Sequence, residues 1–251
     1  MDLGLEGRVA LVMGASKGIG RGIAAALARE GARVAVTSRS LERAEQAARE
    51  IPGELAGFAA DSADLDGLAR LPGLVAERFG APVDVLVTNT GGPPAGDVFA
   101  HGQEAWEEAY RELVLAPRAL IEAALPGMRE RRWGRIVNVG SSSTEEVIDH
   151  LALSSVHRLA TVGYFKVLAR AVARDGVTVN TVATGKFATE RLAAVHGSME
   201  EARRVASEIV PAGRLGEPEE YGDLVAFLCS ERAAYLTGAV IPLDGGLLAS
   251  T

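Results

Sequence analysis

The sequence holds little that would place the protein in a membrane or outside a reducing cell interior. Cys229 is the only cysteine among 251 residues, so the chain cannot form an intramolecular disulfide. No uncharged apolar run approaches the roughly 20 residues that span a bilayer. The N-terminus carries Asp2 and Glu6 rather than the basic head of a signal peptide. We therefore expect a cytoplasmic protein with no membrane partner.

Positive charge is also scarce in this chain. Lys and Arg number 26 against 33 Asp and Glu, which gives a formal net charge of −7. Because a nucleic-acid-binding surface needs a positive field on one face, this balance argues against nucleic acid as a partner. The 48% hydrophobic and 24% charged residues are ordinary for a globular domain, and they exclude a disordered or fibrous chain.

Short β-branched runs alternate with longer amphipathic stretches along the whole chain. This alternation is typical of strand–helix repeats, which build a parallel sheet covered by helices on both faces. We expect residues 1–251 to form a single α/β domain around a doubly wound parallel sheet of about seven strands. The predicted strands are Arg8–Met13, Arg33–Thr37, Leu55–Ala60, Val83–Thr88, Arg135–Val139, Val177–Val182 and Ala239–Leu243.

Two segments interrupt this regular alternation. Thr90–Gly96 is rich in glycine and proline, and Ala183–Pro211 returns to the sheet only after a further helix. Long loops in compact domains are often functional, and ligands of open α/β sheets bind beyond the carboxyl ends of the strands. Because both segments follow predicted strands, we expect the active crevice between them, with residues 183–211 as the substrate loop.

A glycine-rich turn, MGASKGIG, follows the first predicted strand directly and leads into a helical pattern. Its glycines would let the backbone turn sharply and approach a pyrophosphate, while the helix N-terminus offers unpaired N–H groups and the positive end of its dipole. In this context the turn predicts dinucleotide binding in a Rossmann-type domain; the alternative is a merely tight turn. The candidate cofactor-binding residues here are Gly14, Ser16, Lys17, Gly18, Ile19 and Gly20.

The end of the second predicted strand lacks the carboxylate that NAD-binding proteins usually place against the adenosine ribose. Ser38 and Arg39 stand there instead. Arg39, helped by Lys17, can bind a 2′-phosphate through charge-assisted hydrogen bonds. The sequence thus favours NADP(H) over NAD(H); the alternative is that both side chains are ordinary solvated cations.

Further motifs follow the glycine turn in a recognisable order. They are Asp61 after the third predicted strand, VTNTGG at Val87–Gly92, GRIVNVGSSS at Gly134–Ser143, VTVNTVATG at Val177–Gly185, and RLGEPEE and LTGAVIPLDGG near the C-terminus. With these motifs the chain resembles the short-chain dehydrogenase/reductase family over essentially its full length. It looks closest to the group of 3-oxoacyl-acyl-carrier-protein reductases.

The resemblance implies the remaining cofactor contacts and the assembly. The aspartate after the third strand is similar to the family's adenine-binding aspartate, and the loop after the sixth strand matches the loop over the nicotinamide. Relatives are commonly tetramers, so the resemblance also implies a homo-oligomer. No metal site is expected. The residues added to the cofactor site are Asp61, Ser62, Asn89, Gly91, Arg158, Gly185, Phe187 and Thr189.

The family's chemistry, hydride transfer between the nicotinamide and a carbonyl, uses a serine, a tyrosine with a lysine four residues later, and an asparagine. Ser141 falls on the serine of the motif. Ser154 and Arg158 fall on the Tyr-x-x-x-Lys pair, and Leu113 falls on the asparagine. The resemblance therefore implies a carbonyl or alcohol substrate and an atypical catalytic site.

The replaced residues have consequences that follow from their chemistry. A serine hydroxyl is a poor proton donor at neutral pH, and an arginine stays charged and cannot act as the acid. Arg158 can still bind the ribose diol or a substrate anion. His157, one helical turn from Ser154, is a candidate proton donor, with a packing role as the alternative.

Two functions remain open at this point. The first is an NADP(H)-dependent oxidoreductase in which Ser141 orients the substrate oxygen and water, Ser154 or His157 delivers the proton. The second is a catalytically silent NADP(H)-binding protein that serves as a sensor or scaffold, which the missing proton-transfer residues favour.

Overall fold

The computed structural model describes residues 1–250, which build one seven-stranded sheet. Its strands are β1 (Val9–Val12), β2 (Arg33–Ser38), β3 (Leu55–Ala59), β4 (Val85–Thr88), β5 (Gly134–Val139), β6 (Val177–Thr184) and β7 (Val240–Leu243). They pair in the order β3-β2-β1-β4-β5-β6-β7, and every neighbouring pair is parallel. The predicted doubly wound sheet is confirmed, and each strand ends within two residues of its predicted bounds.

Helices cover both faces of the sheet. They are α1 (Gly18–Arg29), α2 (Leu41–Glu50), α3 (Leu65–Phe79), α4 (Gln103–Tyr110), α5 (Ala116–Glu130), α6 (Ala152–Val172), α7 (Glu190–His196), α8 (Met199–Ile209) and α9 (Pro218–Leu228). One core joins the sheet to α1, α2 and α9 through buried side chains such as Ile23 and Tyr221. The other joins it to α3, α5 and α6 through Leu120 and Phe165. Because both faces are covered, the central strands are apolar along their length, as predicted.

The strand order reverses between β1 and β4, which are neighbours in the sheet. From this point the chain winds outward in both directions, so the loops after β1 and β4 separate and leave a crevice at their carboxyl ends. The same sheet edge carries the ends of β5 and β6. The glycine turn and the loops that follow these strands therefore meet at one edge.

The long helical segment before β5 is divided next to a proline. A π-helical turn at Arg111–Leu115 separates α4 from α5, and Pro117 lies in the first turn of α5. Because proline has no N–H, the carbonyl of Leu113 loses its partner four residues later. Thr161 of α6 donates to that carbonyl over 2.7 Å. The hydrogen bond at this break therefore connects the segment to α6.

The segment after β6 differs from its prediction in one respect. Residues 183–211 were predicted as a loop, and the segment contains two helices, α7 and α8. Gly197, with φ +85°, ends α7, and the side chain of Ser198 caps α8 by accepting the N–H of Glu201. Ala202, Ala206, Val210 and Leu215 form a small separate core beneath them. The segment is therefore an ordered cover with its own packing.

Within residues 1–250, no helix has the length and apolar content needed to cross a membrane. The same residues contain no group of three or more His, Cys, Asp or Glu side chains arranged to hold a metal ion.

Candidate active site

The turn between β1 and α1 has the backbone geometry that its glycines predict. Gly14 and Gly18 adopt φ angles of +56° and +54°, in the left-handed region that disfavours other residues. A Cβ added at Gly20 would lie 2.2 Å from the carbonyl oxygen of Gly14, so only glycine fits there. Lys17 is the N-cap residue of α1, and no side chain caps the helix. The helix N-terminus is therefore available to an anion.

Residues at or beyond the carboxyl ends of β2, β4 and β6 contact the glycine turn. The N–H of Gly14 donates to Oγ1 of Thr37 in β2 over 3.0 Å. Asn89, which follows β4, donates from its side chain to the carbonyl of Gly14 over 3.3 Å. A Cβ at Gly18 would lie 3.3 Å from the methyl group of Thr189, beyond β6. The structure thus brings Asn89 and Thr189 to the turn, as the predicted cofactor site requires.

At the predicted adenosine end, Ser38 closes β2 and Arg39 follows it. Arg39 and Asp61 both line an open depression at the carboxyl ends of β2 and β3. Oδ1 of Asp61 accepts the N–H of Ala63 over 3.0 Å, and Ser62 lies between them in the turn before α3. Within the described residues Arg39 forms no ion pair or hydrogen bond. Its guanidinium is therefore available to a phosphate.

Lys17, the second predicted phosphate ligand, is engaged differently. Its ammonium group lies 2.5 Å from Oε2 of Glu190, the first residue of α7. Both side chains are largely exposed, at 61% and 72%. The hydrogen bond from Lys17 lowers the pKa of Glu190. The glycine turn is thus joined to α7 by an exposed ion pair that the sequence did not indicate.

Arg158 occupies the centre of the predicted catalytic region. It extends from α6 and donates to the carbonyl of Val139 at the end of β5 over 2.9 Å, and to the carbonyl of Gly91 over 3.3 Å. Its Nε donates to Oγ of Ser154, one turn earlier, over 3.2 Å. Burial, together with the nearby charge of Arg191, lowers the pKa of Arg158 to about 10, so it stays charged at neutral pH.

Two serines lie in the predicted catalytic region. Ser141, just after β5, is the N-cap residue of a short helical turn, and its Oγ accepts the N–H of Ser143 over 3.1 Å. The hydroxyl of Ser154 accepts from Arg158. Because each oxygen accepts a bond here, the hydroxyl proton of each remains available to a ligand oxygen.

A buried row of polar side chains lies across the sheet beneath this region. Thr88 donates to Oδ1 of Asn138 over 3.2 Å, and Nδ2 of Asn138 lies 3.5 Å from Oγ1 of Thr181. These residues are paired in the registers of β4, β5 and β6. The row links the carboxyl ends of the three strands, which lead into Asn89, Ser141 and the loop after β6.

His157 lies against α4. Its Nδ1 is 2.7 Å from the carbonyl of Leu153, which can only accept, so Nδ1 carries the proton. The ring is buried and packs against Trp106 and Tyr110, at centroid distances of 5.5 Å and 6.2 Å. These contacts are those of a packing residue.

The loop after β6 is fixed by a buried tyrosine that the sequence did not indicate. The ring of Phe187 packs edge-on against Tyr221 of α9 at 5.2 Å, and the Tyr221 hydroxyl lies 2.9 Å from Oγ1 of Thr184. Burial raises the pKa of Tyr221. At Gly185 a Cβ would lie 2.5 Å from the Cα of Asp244, so this glycine allows β6 and the C-terminal segment to approach closely.

Thr189 caps α7, since its side chain accepts the N–H of Leu192 over 3.3 Å. Arg191, two residues later, donates to the carbonyls of Gly92 and Pro93 over 2.9 Å and 3.3 Å. Thr37, Glu190 and Arg191 were not among the predicted site residues. No sequence signal marks them, because their position at the crevice depends on how β2 and α7 are placed in the fold.

Comparison with known proteins agrees with this geometry. The model of the family described as Enoyl-(Acyl carrier protein) reductase matches residues 14–248. The 3-oxoacyl-acyl-carrier-protein reductase of Vibrio cholerae serotype O1 is 36% identical over 245 residues, covering 98% of this chain and 99% of that protein. The chain belongs to the short-chain dehydrogenase/reductase family. The family assignment made from the motifs is therefore confirmed.

Solved structures of short-chain dehydrogenases/reductases are closely similar to this one. L-sorbose reductase from Gluconobacter frateurii, complexed with NADPH and L-sorbose, has a TM-score of 0.94 and 30% identity, with all of both chains covered. A variant of actinorhodin polyketide ketoreductase with NADPH has a TM-score of 0.91 and 35% identity, covering 96% of this chain and 97% of that one. The chain is thus a member of an oxidoreductase family, similar to these reductases.

Proposed function

We propose that the protein is an NADP(H)-dependent oxidoreductase that acts on a carbonyl or alcohol substrate, resembling 3-oxoacyl reductases, with an atypical catalytic site. The observation that carries this proposal is the glycine turn at the β1–β4 crevice, where no side chain caps the N-terminus of α1. Arg39, which follows β2, forms no ion pair within the described residues. The relatives described with NADPH support the same cofactor. NADPH, when bound, supplies the hydride.

The cofactor contacts divide by their chemistry. The backbone of Gly14, Ser16, Gly18, Ile19 and Gly20 receives the pyrophosphate, because the turn leaves the first N–H groups of α1 without a capping side chain. Arg39 binds the 2′-phosphate, and Lys17 joins it once it leaves Glu190.

The remaining predicted contacts lie along the same edge of the sheet. Asp61 and Ser62 stand at the adenosine end, and the loop beyond β6 stands at the other end of the crevice. The proposed residues at that other end are Asn89, Gly91, Arg158, Gly185, Phe187 and Thr189.

In the catalytic region, Ser154 and Arg158 take the place of the family's Tyr-x-x-x-Lys pair. Ser141 and Ser154 hold hydroxyl protons that can orient a carbonyl oxygen, and the Arg158 guanidinium adds positive charge beside Ser154. None of these groups is a good proton donor at neutral pH, so water completes the proton transfer. Hydride transfer is accordingly slow.

His157 takes a packing role in this proposal rather than a catalytic one. Its Nδ1 is committed to a helix carbonyl and its ring lies against Trp106 and Tyr110. We also propose a homotetramer, which rests on the resemblance to the family, and a cytoplasmic location, which rests on the single cysteine and the lack of a long apolar run in the sequence.

A second candidate function is a catalytically silent NADP(H)-binding sensor or scaffold. The hydrogen bond that Arg158 donates to Ser154 favours it, because this bond joins the two side chains at the position of the family's proton donor. The two candidates share the cofactor site and differ only in turnover.

Calorimetry with NADPH and NADH tests the cofactor assignment. We expect Arg39→Ala to weaken NADPH binding about tenfold, because a charge-assisted hydrogen bond is lost. NADH binding should stay unchanged, and Arg170→Ala, an exposed arginine of α6, should alter neither. Absence of NADPH binding in the unaltered protein contradicts both candidate functions.

NADPH oxidation with a panel of ketones and aldehydes separates the two candidates. The Vibrio cholerae reductase, assayed in parallel, shows that the assay detects a competent relative. Slow turnover above the buffer rate supports the oxidoreductase. NADPH binding without any turnover supports the silent protein instead.

A further inference from the structure

The loop at Gly91–Pro93, after β4, holds two arginines from different helices. Arg158 of α6 donates to the carbonyl of Gly91, and Arg191 of α7 donates to the carbonyls of Gly92 and Pro93. The two guanidinium groups thus bind adjacent residues of one short loop. This arrangement deepens the proposed function and rests on it.

The glycine at position 92 makes this arrangement possible. A Cβ added there would lie 2.3 Å from Nη2 of Arg191 and 2.5 Å from its Cζ. Any side chain at Gly92 would therefore displace the guanidinium from the loop. The sequence places a glycine where Arg191 lies flat against the backbone.

Neither guanidinium has a carboxylate partner within residues 1–250. The ion pairs in this part of the chain involve other arginines and Lys17. Arg158 is half-buried, and the charge of Arg191 contributes to the lowered pKa of Arg158. Two neighbouring positive charges without a counter-charge are unfavourable, and a bound anion would offset that cost.

Both side chains keep donors for such a ligand. A guanidinium carries five N–H groups, of which Arg158 uses three here and Arg191 uses two. The remaining donors suit the two oxygens of a carboxylate or the oxygens of a phosphate. Arg158 also bonds Ser154, so this charge lies beside the proposed carbonyl site.

We propose that Arg158 and Arg191 bind an oxyanion, a carboxylate or phosphate, that is carried by the substrate. The substrate is then an acidic carbonyl compound or hydroxy acid rather than a neutral one. Arg191, exposed on α7, makes the contact that distinguishes acidic from neutral substrates, while Arg158 also serves the candidate catalytic region.

Acetoacetate and its methyl ester form a matched pair of probes, because they share the 3-oxo skeleton and differ in one negative charge. Binding is measured by calorimetry on the protein alone and on the protein saturated with NADP⁺, where no turnover occurs. We expect acetoacetate to bind about tenfold more tightly than the ester, and Arg191→Gln to remove that difference. Inorganic phosphate and methyl phosphate, tested in the same way, show whether a phosphate is preferred to a carboxylate.

Arg170→Gln is the control, since it removes one exposed positive charge from α6 outside the site. It should leave the preference for acetoacetate intact. Equal binding of acid and ester, or equal loss in both variants, overturns the proposal. Acetoacetate binding that disappears when NADP⁺ is bound also overturns it, because the arginines then serve a cofactor phosphate. If the protein does not bind NADPH but still prefers acetoacetate to the ester, the proposed function is contradicted and the oxyanion site is not.

Discussion

The two sides of the crevice are held in different ways. At the glycine turn, Gly14, Gly18 and Gly20 fix the geometry through backbone conformation and close backbone approach. On the α6 side, Ser154 and Arg158 fix it through side-chain hydrogen bonds to strand ends and loops.

This difference determines how residue replacement affects the function of each side. The donors of a backbone cradle belong to the main chain, so replacing a side chain beside the turn does not remove them. In a side-chain constellation the functional groups belong to the side chains, so replacing a residue changes the chemistry, as between lysine and arginine. In the proposed function, the backbone cofactor site can therefore persist while the side chains at the proton-transfer positions differ from the family's.

The largest effect is expected when the family's tyrosine and lysine are introduced at the positions of Ser154 and Arg158. The double variant Ser154→Tyr, Arg158→Lys should raise the rate of carbonyl reduction by about 10² to 10⁴-fold, the usual contribution of a positioned general acid. The rate is measured as NADPH oxidation at saturating cofactor.

Each single variant serves as a control for the double one. Ser154→Tyr lacks the ammonium group beside the phenol, and Arg158→Lys lacks the phenol, so neither should approach the double variant. A double variant that folds and binds NADPH yet reduces ketones no faster than the unaltered protein would show that something other than these residues limits turnover.

The opposite test disturbs the backbone cradle. Gly20→Ala places a methyl group against the Gly14 carbonyl, and we expect it to lower the free energy of unfolding by about 1 to 3 kcal/mol, as overpacking does. NADPH binding should weaken as well, because the turn must shift. Urea unfolding and NADPH titration measure the two effects.

Gly73→Ala is the matched control for this substitution. Gly73 also lies in a helix, α3, but nothing lies within 4 Å of a Cβ added there. Gly73→Ala should raise the free energy of unfolding by about 0.5 to 1 kcal/mol through helix propensity, and it should leave NADPH binding unchanged. Unaltered NADPH affinity in Gly20→Ala would show that close backbone approach is not what forms the cradle.

The same contrast explains what the sequence could predict. The strands and the glycine turn follow from local patterns, namely apolar runs and residues that tolerate positive φ. Pro117 marks the break before α5 in a similarly local way, because proline lacks a backbone N–H. The structure places the break one turn earlier, at Arg111–Leu115, because Thr161 satisfies the carbonyl of Leu113 from another helix.

The side chains that complete the site were harder to predict. Glu190 contacts the glycine turn and Arg191 contacts the loop after β4 from α7, a helix inside the segment that the sequence predicted as a loop. Thr37 faces the glycine turn because β2 lies beside β1 in register. Such positions depend on long-range packing, for which a single sequence carries no periodic signal.

The exposed Lys17–Glu190 pair gives the smallest expected effect and joins the two sides of the crevice. In Glu190→Gln, Lys17 is released and a negative charge beside the glycine turn is removed, so NADPH affinity should rise by about two- to fivefold at low salt. The gain should be larger for NADPH than for NADH, because the 2′-phosphate is the proposed partner of Lys17. It should fade at high salt, where the screening length shrinks to about 3 Å at 1 M.

Glu200→Gln, an exposed acid of α8, makes the same charge change elsewhere and should leave both affinities unaltered. An equal gain for NADPH and NADH would show that Lys17 serves the pyrophosphate, and no gain at all would show that the ion pair does not compete with the cofactor.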